Sequence, residues 1–173
     1  MTDPQITYII ANRRKKLGLS DYFSYGLVFL PLSIIALSCL IVFETHTTWQ
    51  AVIFGLAIML SIGLIIIIFK RLKQNISYKC ITTPWSKEEN YQIIGEIFDA
   101  NNYQTERFLS YIICRTRISA FSFGEVLTAI PLDKEILVNS KPLWQPLTFL
   151  KDIGNIKKLE TQIAERAGKR NSS

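Results

Sequence analysis

Three cysteines and one histidine are the side chains here best suited to nucleophilic, redox or metal chemistry, and their spacing supports none of these. Cys39, Cys80 and Cys114 are widely separated, with no C-x-x-C pair. Cys39 lies in a long apolar run, whereas Cys80 and Cys114 fall on segments that read as strands. Such a scattered set reads as reduced thiols of a cytoplasmic domain. A Cys80–Cys114 redox pair would require those two strands to be neighbours. The single histidine, His46, stands beside Glu44, Thr47 and Thr48. One imidazole without a carboxylate cluster is a poor metal site and reads as a solvated loop residue. Hydrolysis would then rest on paired carboxylates, and no acidic spacing suggests a pair. Gly124 and Gly154 are isolated, so no phosphate-cradling loop is present. The expectation is a non-enzymatic chain without cofactor or metal.

Aromatic residues offer a different kind of site. The stretches 118–124 and 142–149 are unusually apolar for connections. With Trp85, they supply Phe121, Phe123 and Trp144 as a candidate interaction cluster, since exposed apolar patches mark docking sites. The competing reading folds these rings back over the open end of a small core, and a domain this short needs its aromatics for that purpose. Arg115 and Arg117, just before the first stretch, could meet lipid phosphate or simply face water.

The elements that must carry these residues begin with a membrane anchor. Two runs, 22–43 and 49–69, contain no charge and are separated by five residues. At about 1.5 Å of rise per residue each reaches roughly 30 Å, the thickness of a hydrocarbon core. They predict a two-helix transmembrane hairpin over residues 22–69. Arg13, Arg14, Lys15 and Lys16 precede it, and Lys70, Arg71 and Lys73 follow it. The link has no Lys or Arg, so both termini are expected on the cytoplasmic side. Tyr22, Phe23, Tyr25, Trp49 and Phe69 sit near the run ends, where amphipathic rings favour headgroups. Pro31 is placed to kink the first helix. Ala51, Gly55 and Gly63 recur in multiples of four, a small-residue face suited to close helix packing against the first helix or another chain. No ionisable residue lies within either run, which argues against an independent carrier or pump.

Residues 1–21 read as a cytoplasmic amphipathic segment. Thr2-Asp3-Pro4 starts a helix whose apolar face is Ile6, Ile9 and Ile10, with the basic cluster opposite. The expectation is a helix lying on anionic lipid. The run 13–20 looks like part of a DNA-binding helix-turn-helix, but the chain enters its apolar run at once, and no nucleic-acid partner is expected.

Residues 70–168 read as a cytoplasmic α+β domain and 169–173 as a disordered tail. Residues 76–82 alternate as a strand. Ser86 and Glu89 have the spacing of a capping box that opens a helix with Tyr91, Ile94 and Phe98 on its buried stripe. Strands are predicted at 103–108, 109–116, 125–132 and 135–140, and a final helix carries Ile153, Ile156, Leu159 and Ile163. The order β-α-β-β-β-β-α suits an antiparallel sheet with both helices on one face, its second face left for solvent, lipid or a partner. From residue 70 onward the excess of Lys and Arg over acids is +5, or +2 without Lys70, Arg71 and Lys73, a weakly basic balance that fits a domain near an anionic membrane.

The function expected from these features is a non-enzymatic protein of the bacterial plasma membrane. It would hold an interaction domain at the cytoplasmic surface, as an accessory subunit of a membrane complex. Its partners would be lipid and either another protein or a second copy. Two alternatives stand beside it: an immunity or regulatory protein acting against a toxin, and a lipid-binding sensor or lipid-handling enzyme.

Overall fold

The computed structural model describes residues 1–18, 21, 26–44, 48–116, 124–142 and 151–171, without side chains at 27, 42–44, 48, 142, 151–153 and 169–171. In chain order the elements are α1 (Asp3–Asn12), a 3₁₀ turn (Gly26–Val28), α2 (Phe29–Glu44), α3 (Thr48–Ile76), β1 (Lys79–Thr82), α4 (Lys87–Ala100), β2 (Gln104–Arg107), β3 (Ile112–Arg115), β4 (Glu125–Leu132), β5 (Glu135–Pro142) and α5 (Lys151–Asn171). They fall into two units, one of Met1–Lys16 with Asn75–Ser173, the other of Leu17–Gln74.

The first unit is α+β, built on a five-stranded antiparallel sheet in the order β1-β5-β4-β3-β2. Period-two alternation decides what each strand gives to each face. Ile112, Cys114, Leu127, Ala129, Ile136 and Val138 face α4 and α5, meeting Ile94, Ile97, Phe98, Leu159 and Ile163. The capping box forms as its spacing predicts: Ser86 N–H donates to Glu89 Oε2 (3.0 Å), and Glu89 N–H donates to Ser86 Oγ (3.3 Å). At its other end α4 closes on Asn102, which takes a left-handed φ of 54°. Tyr103 N–H reaches back to the Phe98 carbonyl (3.2 Å) and Asn102 N–H to that of Asp99 (2.9 Å), a Schellman closure with asparagine in place of glycine.

The sheet's second face is not left open. Ile130 and Leu137, with Tyr78 and Tyr111, point away from α4 and α5 and are covered by Ile6 and Ile9 of α1. Ile9 is only 1% exposed, so this apolar face meets sheet and not lipid, which corrects the expected membrane-lying helix. Both ends of α1 are tied down. Met1 N donates to the Tyr111 hydroxyl (2.6 Å), and Arg13 pairs with both carboxylate oxygens of Glu135 (2.8 and 3.0 Å). Beyond α1 the chain bonds the run leading into β1: Tyr78 N–H donates to the Arg13 carbonyl (2.7 Å) and Lys15 N–H to that of Ile76 (2.9 Å). The same run is held from the sheet by Asn139, whose Nδ2 donates to the carbonyls of Asn75 (3.1 Å) and Ser77 (2.6 Å).

Several boundaries move. The first strand begins at Lys79, later than the alternation suggests, because α3 continues through Lys70, Arg71 and Lys73 to Ile76. α5 extends to Asn171, into the segment 169–173 expected as a disordered tail.

Among the described residues one helix, Trp49–Ile76, is long and apolar enough to cross a membrane. Of the expected pair of spans, one is met among the described residues. α2 has 16 residues, about 24 Å of rise, and its apolar part is Phe29–Ile41. Pro31 occupies the first turn of α2, where its missing N–H is not needed, so the expected kink has no cause. Ser33 Oγ donates back to the Phe29 carbonyl (2.8 Å), satisfying its hydroxyl within the helix.

Ile9→Ala is expected to destabilise the first unit by about 2–4 kcal/mol, the usual cost of emptying a well-packed site. Denaturant unfolding in mild detergent measures it. An unchanged midpoint would return α1 to the lipid surface.

Candidate interaction surface

Chemistry among the cysteines is limited by where the strands lie. Cys80 on β1 and Cys114 on β3 are separated by β5 and β4, so three strand spacings put them about 14 Å apart. A disulfide needs Cα atoms within about 7 Å, which removes the redox pair. Burial pushes the Cys114 thiol up to about 12, so it is inert near neutrality. Cys80 is exposed, and its Sγ donates to Glu135 Oε2 (3.0 Å); that bond first, then desolvation, raises its pKa. Glu135 is shifted the other way, by the bond from Cys80 and then by Arg13. A lowered carboxylate pKa stabilises the fold above its unfolded value and loses that contribution as pH falls through the folded one.

Among the described residues no group of three His, Cys, Asp or Glu side chains comes together to hold a metal. His46 lies outside the described residues. The clearest buried acid is Glu125, at 1% exposure, which accepts from Ser140 Oγ (2.7 Å) and Asn155 Nδ2 (2.6 Å) through Oε2, while Oε1 has no partner. These bonds tie the start of β4 to the end of β5 and to α5.

Of the expected aromatic cluster, Trp85 is buried at 2% exposure and packs in the core with Ile94 and Ile97. It is unavailable for docking, which corrects that assignment. The reason is the turn it occupies: its carbonyl accepts from Asn90 Nδ2 (3.2 Å) and from Lys134 N–H (2.9 Å), drawing the ring under the sheet. Phe121, Phe123 and Trp144 lie outside the described residues, as do Tyr22, Phe23, Tyr25 and Arg117. Arg115 is exposed and pairs with Glu106 (3.2 Å).

The basic residues divide. Arg13 is committed to Glu135, Lys16 Nζ stands 4.9 Å from the Tyr8 ring centroid, and Arg71 donates to Gln74 Oε1 (3.1 Å). Arg14, Lys15, Lys70 and Lys73 have exposed or half-buried side chains. In the second unit Ala51 and Gly55 are exposed and Gly63 is half-buried. A Cβ built on either glycine meets nothing within 4 Å. Among the described residues nothing packs closely on these two glycines.

A feature without a sequence signal is a cleft of about 780 Å³ between the first turn of α1, the first turns of α4 and the β2–β3 tip. Ile6, Tyr91 and Phe108 give it apolar walls; Asp3, Lys87 and Glu88 give its rim both signs. Phe108 stacks on Tyr111 (4.5 Å between centroids), and Leu109 at the tip is 99% exposed. The volume is that of an ordinary ligand site. Short hairpin tips carry no pattern that foretells such a cleft, because it is made by elements distant in sequence.

Comparison with known proteins finds no matching family model, no similar curated protein and no similar solved structure.

Glu135→Ala removes the carboxylate that holds the Cys80 proton and leaves Arg13 nearby. Cys80 is expected to react faster with iodoacetamide at mildly alkaline pH, through a lowered thiol pKa. An equal or slower rate would show that the Cys80–Glu135 bond does not govern the thiol.

Proposed function

We propose that this protein is a multi-pass membrane protein whose termini are both cytoplasmic, holding its α+β unit at the inner surface for contact with other proteins. It acts as an accessory subunit of a membrane complex and carries out no catalytic step.

The observation that carries this reading is that residues on both sides of the apolar segment build one unit. Met1–Lys16 and Asn75–Ser173 fold together, and Lys15 N–H bonds the Ile76 carbonyl (2.9 Å) where the chain leaves and returns. A unit closed in this way lies on one side of any bilayer, so the segment between its halves must cross an even number of times. α3 supplies one crossing. The 3₁₀ turn and α2 together rise about 30 Å and supply the other. Apolar side chains that would be costly in water, such as Leu37, Leu40, Met59 and Leu60, are largely exposed along these helices and find their solvent in lipid.

Sidedness rests on charge. Arg14, Lys15 and Lys16 flank one end of the apolar segment, Lys70 and Lys73 the other, and Lys and Arg are retained in the cytoplasm. Protein contact is favoured over lipid sensing because α1, the segment best suited to lie on lipid, spends its apolar face on the sheet.

The test is labelling of intact cells with a membrane-impermeant maleimide. Cys80 is exposed in the folded unit and is expected to react only after permeabilisation, whereas Thr47→Cys reacts from outside. Labelling of Cys80 in intact cells would invert the topology, and labelling of neither before lysis would place the link inside.

A further inference from the structure

The sheet ends in β1 on one side and β2 on the other. The chain covers the approach to β1 with its own residues: Arg14 bridges Ser77 antiparallel, between the bonds at Tyr78 and Ile76. Among the described residues no strand lies outside β2. Its open groups follow from register. Phe108 N–H donates to the Tyr111 carbonyl (3.0 Å), so these two form a hydrogen-bonded pair. Bonded and non-bonded pairs alternate in an antiparallel ladder. Glu106 and Gln104 therefore bond Ile113 and Arg115 of β3, while Thr105 and Arg107 turn their N–H and C=O outward.

We infer that this edge pairs with the same edge of a second copy, the two β2 strands running antiparallel with Thr105 opposite Thr105, joining two sheets into one. The charges on β2 select that register. Within its own copy Arg107 pairs with Asp99 (2.5 Å) and Glu106 with Arg115 (3.2 Å), which lessens but does not remove their charge. Thr105 opposite Arg107 would set Glu106 against Glu106, and Arg107 opposite itself would set two guanidinium groups together; like charges directly opposite are destabilising. With Thr105 on the two-fold axis, Glu106 faces the second copy's Gln104, whose amide can donate to the carboxylate. Arg107 faces the second copy's Tyr103. Thr105 exchanges N–H···O bonds with its counterpart, and Arg107 N–H donates to the second copy's Tyr103 carbonyl. Tyr103 N–H is already engaged by Phe98 in the α4 cap (3.2 Å).

The same charges discourage a foreign strand. Glu106 and Arg107 are the kind of edge residues that resist indiscriminate pairing. They are tolerated in a self-complementary register.

Geometry also meets a demand of the membrane. A two-fold axis between antiparallel edges is perpendicular to the sheet, so it carries the α1 face of one copy onto the α1 face of the other. Asn75 and Ser77 are bound on that face by Asn139, which shares it with Leu137. Both chains then leave the joined sheet from one face, as insertion of both in a single bilayer requires. The inference rests on the membrane reading for this point, and for the raised local concentration that lets so short an edge suffice.

The test uses the full chain in its membrane, with Cys39→Ser, Cys80→Ser and Cys114→Ala, because Cys114 lies directly opposite Thr105 across the β2–β3 pair and would otherwise capture a cysteine placed there. Mild oxidation is expected to convert most of the Thr105→Cys protein to a disulfide dimer. Gln104→Cys and Glu106→Cys are offset by two residues, about 8 Å between Cα atoms, and are expected to remain monomeric. Thr105→Pro deletes an N–H that β3 does not use, so the fold keeps its melting temperature. The native dimer in mild detergent is expected to become a monomer. A native monomer with no Thr105→Cys cross-link overturns the inference. So does equal cross-linking at all three positions, or a dimer that survives Thr105→Pro. A complex with a different protein that Thr105→Pro abolishes, with no dimer, assigns the edge to that partner instead. The labelling of Cys80 and residue 47 is independent of each of these outcomes.

Discussion

A sheet that is apolar on both faces must be covered on both, and the helices within and after this one cover only one. α4 and α5 take the face of Ile112, Leu127, Ile136 and Val138. The face of Ile130 and Leu137 is left to a segment that precedes the apolar helices in sequence. Burying an isoleucine stabilises by roughly 1.5–3 kcal/mol, so Ile6 and Ile9 together supply a substantial part of the margin of a small domain. The rest of the architecture depends on this contact. It closes the first unit across the apolar segment and brings the two exits together at Lys15 and Ile76.

The polar groups reinforce the same closure. Asn139 faces the α1 side of the sheet, where an unpaired amide would be costly, and it finds the carbonyls of Asn75 and Ser77 at the end of α3. Arg13 fixes the far end of α1 to Glu135, and the same carboxylate raises the pKa of Cys80. The pair is partly exposed, with Arg13 at 42%, so its worth lies more in fixing register than in energy. Thiol chemistry is correspondingly suppressed in the first unit: Cys114 is buried and Cys80 has its proton held by a neighbouring carboxylate.

Local signals in the sequence were reliable where the physics is local. The Ser86–Glu89 box, the buried stripe of Ile94 and Phe98, and β4 at Glu125–Leu132 follow from spacing alone, and the order of strands and helices follows with them. What spacing could not carry is which surface an amphipathic face meets. Ile6, Ile9 and Ile10 have the same periodicity whether they lie on lipid or on Ile130 and Leu137. Nor does periodicity foretell that β1 joins β5, which separates Cys80 from Cys114, or that Trp85 is drawn inward by bonds from Asn90 and Lys134. The β2 edge and the cleft beside Leu109 are likewise products of distant elements, and of the expected aromatic site Trp85 alone could be placed.

The central claim is that the chain on either side of the apolar segment meets in one unit. Its most direct measurement is intramolecular disulfide formation between Arg14→Cys and Ser77→Cys in native membranes, read by gel mobility without reductant. The two positions form an antiparallel bridge, close enough for a disulfide without backbone movement. The account predicts rapid, near-complete formation of an internal cross-link. Two free thiols that react from opposite sides of the membrane would contradict it.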